Sequence, residues 1–227
     1  MNLLKILFFC LSFYIPFQGA EAQVKTIQSS DLYRMRSVRD AEISPDGSAI
    51  AYTVVLNPGS GRTKNQLWIV ETSTGKSSQF TAENDSGSGP VWSPDGKWIA
   101  FNGEVNKKQG LYVVRPDGGD LHFLAEMKST NSPLTYEGQS IEWSPDSKKI
   151  AFVSTTPGPE TELATGDPVV ITRYLYKPDY AEGETRFNDN RRRHIFMVDV
   201  ASGKIEQKTS GNFEEHSIDW SPDGKEI

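Results

Sequence analysis

The sequence contains very little cysteine and histidine. Its 227 residues include one cysteine, Cys10, and three histidines. Cys10 lies in a segment that we expect to be removed from the mature protein, which excludes disulfides and cysteine catalysis there. The histidines are far apart, have no cysteine partners and form no His-Glu-x-x-His motif, so we predict no metal and no other cofactor. Each is expected at the surface or at a strand end: His122, His194 and His216.

The sequence also lacks the motifs of common hydrolase and nucleotide-binding sites. No serine stands in a Gly-x-Ser-x-Gly nucleophile elbow, and there is no glycine-rich phosphate loop. We therefore assign no catalytic residue. The net charge of −6 argues against a nucleic-acid partner, because phosphate contacts need clustered lysine and arginine. The one basic run, Arg191-Arg192-Arg193, is interpreted as a solvated hairpin end.

Long apolar runs are confined to the amino terminus. Residues 6–17 are apolar but too few to cross a membrane comfortably, and the small-residue pattern Ala20-Glu21-Ala22 follows them. This arrangement predicts a signal peptide over residues 1–22. We expect export to the periplasm or the extracellular space, with no stable membrane span after cleavage. A retained amino-terminal anchor is the alternative.

The chain does contain a repeat, Ser-Pro-Asp followed by glycine or serine. Its four prolines lie 49, 51 and 77 residues apart, so the third step carries an insertion of about 27 residues. A period of roughly 40 to 50 residues built from short strands is typical of β-propeller blades. An apolar residue precedes each copy, tryptophan in three cases, and the copies begin at Ser44, Ser93, Ser144 and Ser221.

The repeat has the composition of a hairpin turn. Proline presets φ for the second position of the turn, serine and aspartate bond to nearby backbone groups, and glycine supplies a left-handed residue. The recurring aspartates therefore have a structural role. Ser147 replaces the glycine in the third copy, so we expect modest strain there.

The stretches between the turns read as strands, which gives four strands per blade. We predict strands over residues 66–71, 78–81, 110–115, 121–124, 194–199 and 205–208. The predicted fold is all-β, a partial β-propeller of about three four-stranded blades and the start of a fourth over residues 41–227. A leading segment, residues 23–40, is predicted to contain one short helix over Asp31–Val38 with Ser30 or Asp31 as its cap.

Three stretches around the repeats resemble one known family. Asp31–Val38 leads directly into the first repeat, the insertion contains residues 167–177, and residues 189–200 continue into the third blade. In this order they resemble the amino-terminal region of secreted prolyl oligopeptidase family serine peptidases, of the acylaminoacyl-peptidase and dipeptidyl-peptidase type. The repeats by themselves are also similar to the periplasmic TolB propeller, a protein-binding module, and that alternative stays open.

The peptidase resemblance implies a role for the propeller. In that family it caps a carboxy-terminal α/β-hydrolase domain with a Ser-Asp-His triad, and it admits short or unfolded peptides to the cavity between the two domains. We expect the chain to be a truncated, non-catalytic part of such a peptide hydrolase. Its partners would be the peptide substrate and the missing hydrolase domain. Expressed alone, an unclosed array with unpaired strand edges is expected to associate.

The same resemblance implies three candidate substrate-binding residues. Dipeptidyl members of the family hold the peptide ammonium with acidic propeller residues, which points to the adjacent Glu214 and Glu215. Arg173 lies inside the insertion and could bind a peptide carboxylate or carbonyl through its guanidinium group.

Overall fold

The computed structural model describes residues 26–57, 63–130, 138–158 and 191–227. Within these ranges the chain forms three antiparallel sheets of four strands each. The strands are β1 Arg36–Ile43, β2 Ala49–Leu56, β3 Lys64–Glu71, β4 Ser77–Gln79, β5 Ser86–Trp92, β6 Ile99–Val105, β7 Lys108–Val114, β8 His122–Ala125, β9 Ile141–Trp143, β10 Lys149–Pro157, β11 Arg191–Asp199 and β12 Ile205–Gln207.

Each sheet is a simple meander in which consecutive strands pair. We call the sheets blade one (β1 to β4), blade two (β5 to β8) and blade three (β9 to β12). Each Ser-Pro-Asp turn joins the first strand of a blade to the second, and the fourth copy follows blade three as a turn near the end of the chain. The fold is a partial β-propeller, and the prediction of four strands per blade is confirmed.

The turns have the same hydrogen bonds in every copy. In the third copy the Ser144 hydroxyl donates to the Asp146 carboxylate at 2.7 Å and accepts the backbone N–H of Lys149 at 2.9 Å. Ser147 has a positive φ of 60°, as predicted from its place in the glycine position. Its hydroxyl accepts the backbone N–H of Asp95 at 3.1 Å, so it also joins the turn of blade three to that of blade two.

Adjacent blades pack an aromatic face against a face of smaller aliphatic side chains. Phe101 and Tyr112 pair across β6 and β7, stack with ring centroids 5.6 Å apart and pack against blade one. Phe152 and Phe196 hold the equivalent positions in blade three, with the same 5.6 Å separation, and pack against blade two. Burying one such ring contributes about 2 kcal/mol. The core therefore lies between the blades.

Tryptophan connects each blade to the one before it. The indole Nε1 of Trp92 donates to the backbone carbonyl of Glu42 at 3.1 Å, and that of Trp143 donates to the carbonyl of Val91 at 3.0 Å. Trp220 repeats the contact with the carbonyl of Glu142 at 3.2 Å. Each acceptor directly precedes the last residue of the first strand in its blade.

The leading segment differs from its prediction. The predicted α-helix over Asp31–Val38 is instead a 3-10 helix over Ser29–Arg34, followed directly by β1 from Arg36. Pairing with β2 explains the difference, since Val38 lies opposite Val54 in the sheet. The cap is Gln28, whose backbone N–H donates to the Asp31 carboxylate at 2.9 Å.

The predicted signal peptide lies outside the described residues. Among the residues that the structure does describe, no helix is both long and apolar enough to cross a membrane. Most of the insertion between β10 and β11 also lies outside them, and Arg173 is part of it.

Candidate functional site

The two candidate glutamates meet the beginning of β11 in blade three. The Glu215 carboxylate contacts the His194 Nδ1 at 2.9 Å, and the Glu214 carboxylate lies 3.9 Å from the Arg193 guanidinium. The backbone N–H of Glu215 also donates to the carbonyl of Arg193 at 3.1 Å, which fixes the loop along the strand. The Glu215 carboxylate is thus bonded within the chain, whereas the Glu214 Oε2 is buried near Arg193 without a hydrogen-bond partner among the described residues.

His194 is a buried residue, contrary to its predicted place at the surface or at a strand end. Its side chain is only 2% exposed. It lies opposite Ser154 of β10, on the same face of blade three as Phe196, two positions along β11. This burial was hard to predict, because a strand of mixed polarity does not reveal which of its faces is covered by a neighbouring blade.

The interpretation of the basic run Arg191-Arg192-Arg193 as a solvated hairpin end is wrong. It forms the first three residues of β11, and Arg192 is buried. Arg191 donates from Nε to the Thr155 hydroxyl and from a terminal nitrogen to the Thr155 carbonyl, both at 2.7 Å. The three arginines pair with β10 as part of the sheet, and their long side chains can therefore bond to that neighbouring strand.

A cavity of about 370 Å³ adjoins this group of residues. It lies at the end of blade three that is remote from the Ser-Pro-Asp turn. Its wall combines the buried ring of His194 with hydroxyl and amide side chains from the end of β10 and the loop after β12. The lining residues are Thr156, Pro157, His194, Gln207, Ser210, Gly211 and Asn212.

Acidic residues also recur at one position of the repeat, two residues before the serine of the turn. The first strands of adjacent blades, β1 with β5 and β5 with β9, contact each other. Glu42 and Glu142 hold equivalent positions on β1 and β9, and Asp219 holds that position before the fourth turn. We call these three side chains the inner-rim carboxyls. In blade two the position is occupied by Val91.

Two of the inner-rim carboxyls, Glu142 and Glu42, have a raised pKa. Burial raises the pKa of Glu142 to about 7, and the negative charges of Asp219 and Glu42 add to the effect. Burial also raises the pKa of Glu42, although the backbone N–H of Trp92 donates to its carboxylate at 3.1 Å and opposes the shift.

Sequence reasoning missed the inner-rim carboxyls, although a signal was present. An acidic residue stands two positions before the serine in three of the four repeats: Glu42 before Ser44, Glu142 before Ser144 and Asp219 before Ser221. The described part of the chain contains no group of three or more His, Cys, Asp or Glu residues suited to a metal ion.

The chain is similar in sequence to two proteins with a peptidase name. It is 30% identical over 214 residues to the uncharacterized peptidase YuxL of Bacillus subtilis, which covers 88% of this chain and 30% of that protein. It is 31% identical over 179 residues to dipeptidyl-peptidase 5 of Porphyromonas gingivalis, covering 71% of this chain and 24% of that protein. No protein-family model matches the chain.

A solved structure has the same blade arrangement. The acylaminoacyl peptidase of Pyrococcus horikoshii superposes with a TM-score of 0.54 at 19% identity, over 78% of this chain and 25% of that one. The resemblance to the amino-terminal propeller of a prolyl oligopeptidase family peptidase is confirmed. The chain spans less than a third of each of these three proteins, so their activities describe much longer proteins.

Proposed function

We propose that this chain is the non-catalytic propeller portion of an exported serine peptidase and controls the access of peptides to an α/β-hydrolase domain. The propeller contributes shape, since the blades of a closed propeller surround a central channel whose width limits the size of what can pass. The hydrolase domain contributes the chemistry, which is the hydrolysis of short peptides. Folded proteins are too wide to reach that domain.

One observation carries the proposal, the likeness to YuxL of Bacillus subtilis over 88% of this chain. An alignment of 214 residues is far longer than a single turn motif. The second relative has the same kind of name, dipeptidyl-peptidase. The stacked blades supply a physical basis for gating, because buried aromatic rings and indole hydrogen bonds fix each blade against the next.

The test uses the complete product of the gene that encodes this chain. Reaction with a fluorophosphonate probe is expected to label one serine outside residues 1–227, and the labelled protein is expected to cleave peptides of a few residues. A product that is not labelled and cleaves no peptide, yet binds other proteins, would be a TolB-like binding module instead. Labelling inside residues 1–227 would contradict a non-catalytic role for the propeller.

We propose Arg173, Glu214 and Glu215 as residues that meet the peptide. For the glutamates this requires the peptide ammonium to share carboxylates that already contact Arg193 and His194. Replacing Glu214 or Glu215 by glutamine should then raise KM for peptides with a free amino terminus and leave peptides with a blocked one unaffected. Glu104→Gln, at an exposed position on β6, is the matched control. An equal change for both peptide types would indicate a structural role.

A further inference from the structure

The cavity of about 370 Å³ beside His194, which we call the blade-three cavity, has a buried ring nitrogen in its wall. The His194 side chain is 2% exposed, and its Nδ1 lies 2.9 Å from the Glu215 carboxylate. Because a carboxylate only accepts hydrogen bonds, we assign the proton to Nδ1, and Nε2 of the neutral ring is then an acceptor. Within the described residues no hydrogen bond reaches Nε2. A ligand in the cavity that donates to Nε2 would complete the hydrogen bonding of the ring.

The other polar side chains of the lining are also available to a ligand. Thr156 is half-buried at the end of β10, and Ser210 and Asn212 are exposed in the loop after β12. No hydrogen bond among the described residues uses these three side chains. The Gln207 side-chain nitrogen donates to the carbonyl of Thr209 at 2.7 Å, and its amide oxygen is unused by any described residue. Hydroxyl and amide groups both donate and accept, so the cavity offers donors and acceptors together.

An exposed aromatic ring lies beside the cavity. Phe213 is 63% exposed. Gly211 of the lining has a φ of 132°, and a Cβ at that position would lie 3.0 Å from the Phe213 ring. The absence of a side chain at Gly211 therefore lets the ring lie against the loop next to the cavity. Inside the described lining, Pro157 is the one apolar side chain, and none of the residues is aspartate, glutamate, lysine or arginine.

We propose that the blade-three cavity is a binding site for a neutral sugar unit. An ion would lose its hydration without gaining a charged partner, which disfavours a charged ligand. The hydroxyls of a pyranose donate and accept, as the lining does, and one of them donates to Nε2 of His194. The C–H face of the sugar packs on the Phe213 ring, whose π-face is negative. The cavity volume is at the lower end of the range for small-molecule sites, which suits a single sugar unit.

A peptide is less well matched to this cavity than a sugar. Its backbone N–H groups could donate to His194, but the side chains of a short peptide would meet one proline and no charged group of the described lining. The sugar site is therefore separate from the proposed peptide contacts of Glu214 and Glu215, neither of which lines the cavity.

The first test titrates the complete gene product with the methyl glycosides of glucose, galactose, mannose and N-acetylglucosamine in a calorimeter. At least one is expected to bind with a Kd on the order of 1 mM. Asn212→Ala and Ser210→Ala should each raise that Kd about fivefold, the size of one neutral hydrogen bond. Ser78→Ala is the matched control, since Ser78 is exposed on β4 and its side chain makes no hydrogen bond among the described residues. Failure of all four glycosides to bind, or equal affinity in all variants, would overturn the proposal.

The second test examines the aromatic ring and the competing ligand class. Phe213→Ala should raise the Kd of the bound glycoside about fivefold, whereas Phe213→Tyr keeps the ring and should leave the Kd unchanged. The blocked peptide acetyl-Ala-Ala-amide should not displace the glycoside. Displacement by this peptide, with an affinity that Asn212→Ala weakens, would make the cavity a peptide site and contradict the proposal. Positions 210, 212 and 213 are exposed, so these variants should keep the Tm of the parent. Because the readout is binding, the outcome does not depend on peptidase activity.

Discussion

The indole N–H of Trp143 donates to the backbone carbonyl of Val91 across the boundary between blades two and three, at 3.0 Å. The same bond recurs from Trp92 to Glu42 and from Trp220 to Glu142. The tryptophan that precedes the turn in the second, third and fourth copies is therefore a connection between blades. The repeated Ser-Pro-Asp motif resembles a functional site, but together with the tryptophan before it the motif has a structural role.

Trp143→Phe tests this connection. The variant keeps an aromatic ring at the buried position but removes the indole N–H, which is the group that donates to the Val91 carbonyl. Its free energy of unfolding, measured by urea denaturation, should fall by about 2 kcal/mol, from the lost hydrogen bond and the small cavity. Trp98→Phe, at a half-buried position outside the series, should cost clearly less. Equal losses in the two variants would mean that the indole hydrogen bond contributes nothing.

The Ser147 position separates backbone strain from hydrogen bonding. Ser147→Gly relieves the positive φ of 60° but loses the bond to Asp95, so it should be close to neutral. Ser147→Ala loses the same bond and keeps the strain. Alanine should therefore be less stable than glycine by about 1 kcal/mol in urea denaturation. The reverse order would show that the turn is unstrained.

The turn aspartates should contribute to stability only above acidic pH. The Ser44 hydroxyl, followed by the backbone N–H and hydroxyl of Ser48, lowers the pKa of Asp46 from 3.8 to about 2. A lowered pKa means that the contribution is present above pH 3.8 and is lost as the pH falls towards 2. Asp46→Asn should thus have a lower Tm than the parent at pH 7, and the two should converge at pH 2.

The direct check on that prediction is an NMR titration of the Asp46 carboxyl. Ser44→Ala removes the first donor and should move the pKa of Asp46 back towards its ordinary value. Asp117, which accepts the backbone N–H of Gly119 in a different kind of turn, is the internal comparison. An unchanged titration of Asp46 in the Ser44→Ala variant would rule out the hydroxyl as the main cause.

The His194 contact with Glu215 is expected to stabilise blade three. His194→Leu keeps much of the side-chain volume but leaves the Glu215 carboxylate without its 2.9 Å partner. The free energy of unfolding should fall by about 2 kcal/mol, which is the cost of leaving a partly buried acceptor unsatisfied. His122→Leu, at an exposed position on β8, should have almost no effect. Similar small effects at both positions would mean that the contact between His194 and Glu215 does not stabilise the fold.

The repeating part of the fold was predictable because its causes are local. Proline, aspartate and glycine within a few residues determine a turn, and the apolar runs beside the turn determine its strands. The leading segment was not, because the strand character of Val38 comes from its partner Val54 in β2, and a short helical pattern is easily overridden by sheet pairing.

The site was less predictable than the fold, since its main features arise between blades. The burial of Arg192 and His194 depends on which face of β11 another element covers. Burial raises the pKa of Glu142, and the charges of Asp219 and Glu42, which are distant in sequence, add to the effect. An acidic residue two positions before the turn serine is visible in the sequence of three repeats. Its environment could be read only from the three-dimensional structure.

The measurement that tests the central claim most directly is the size selectivity of the complete gene product. One cleavable sequence is presented in a peptide of about ten residues and in a surface loop of a folded protein, and the initial cleavage rates are compared. Gating by the propeller predicts rapid cleavage of the peptide and cleavage of the folded protein at least a hundredfold slower, with the difference removed when that protein is unfolded. Equal rates for the peptide and the folded protein would contradict the account.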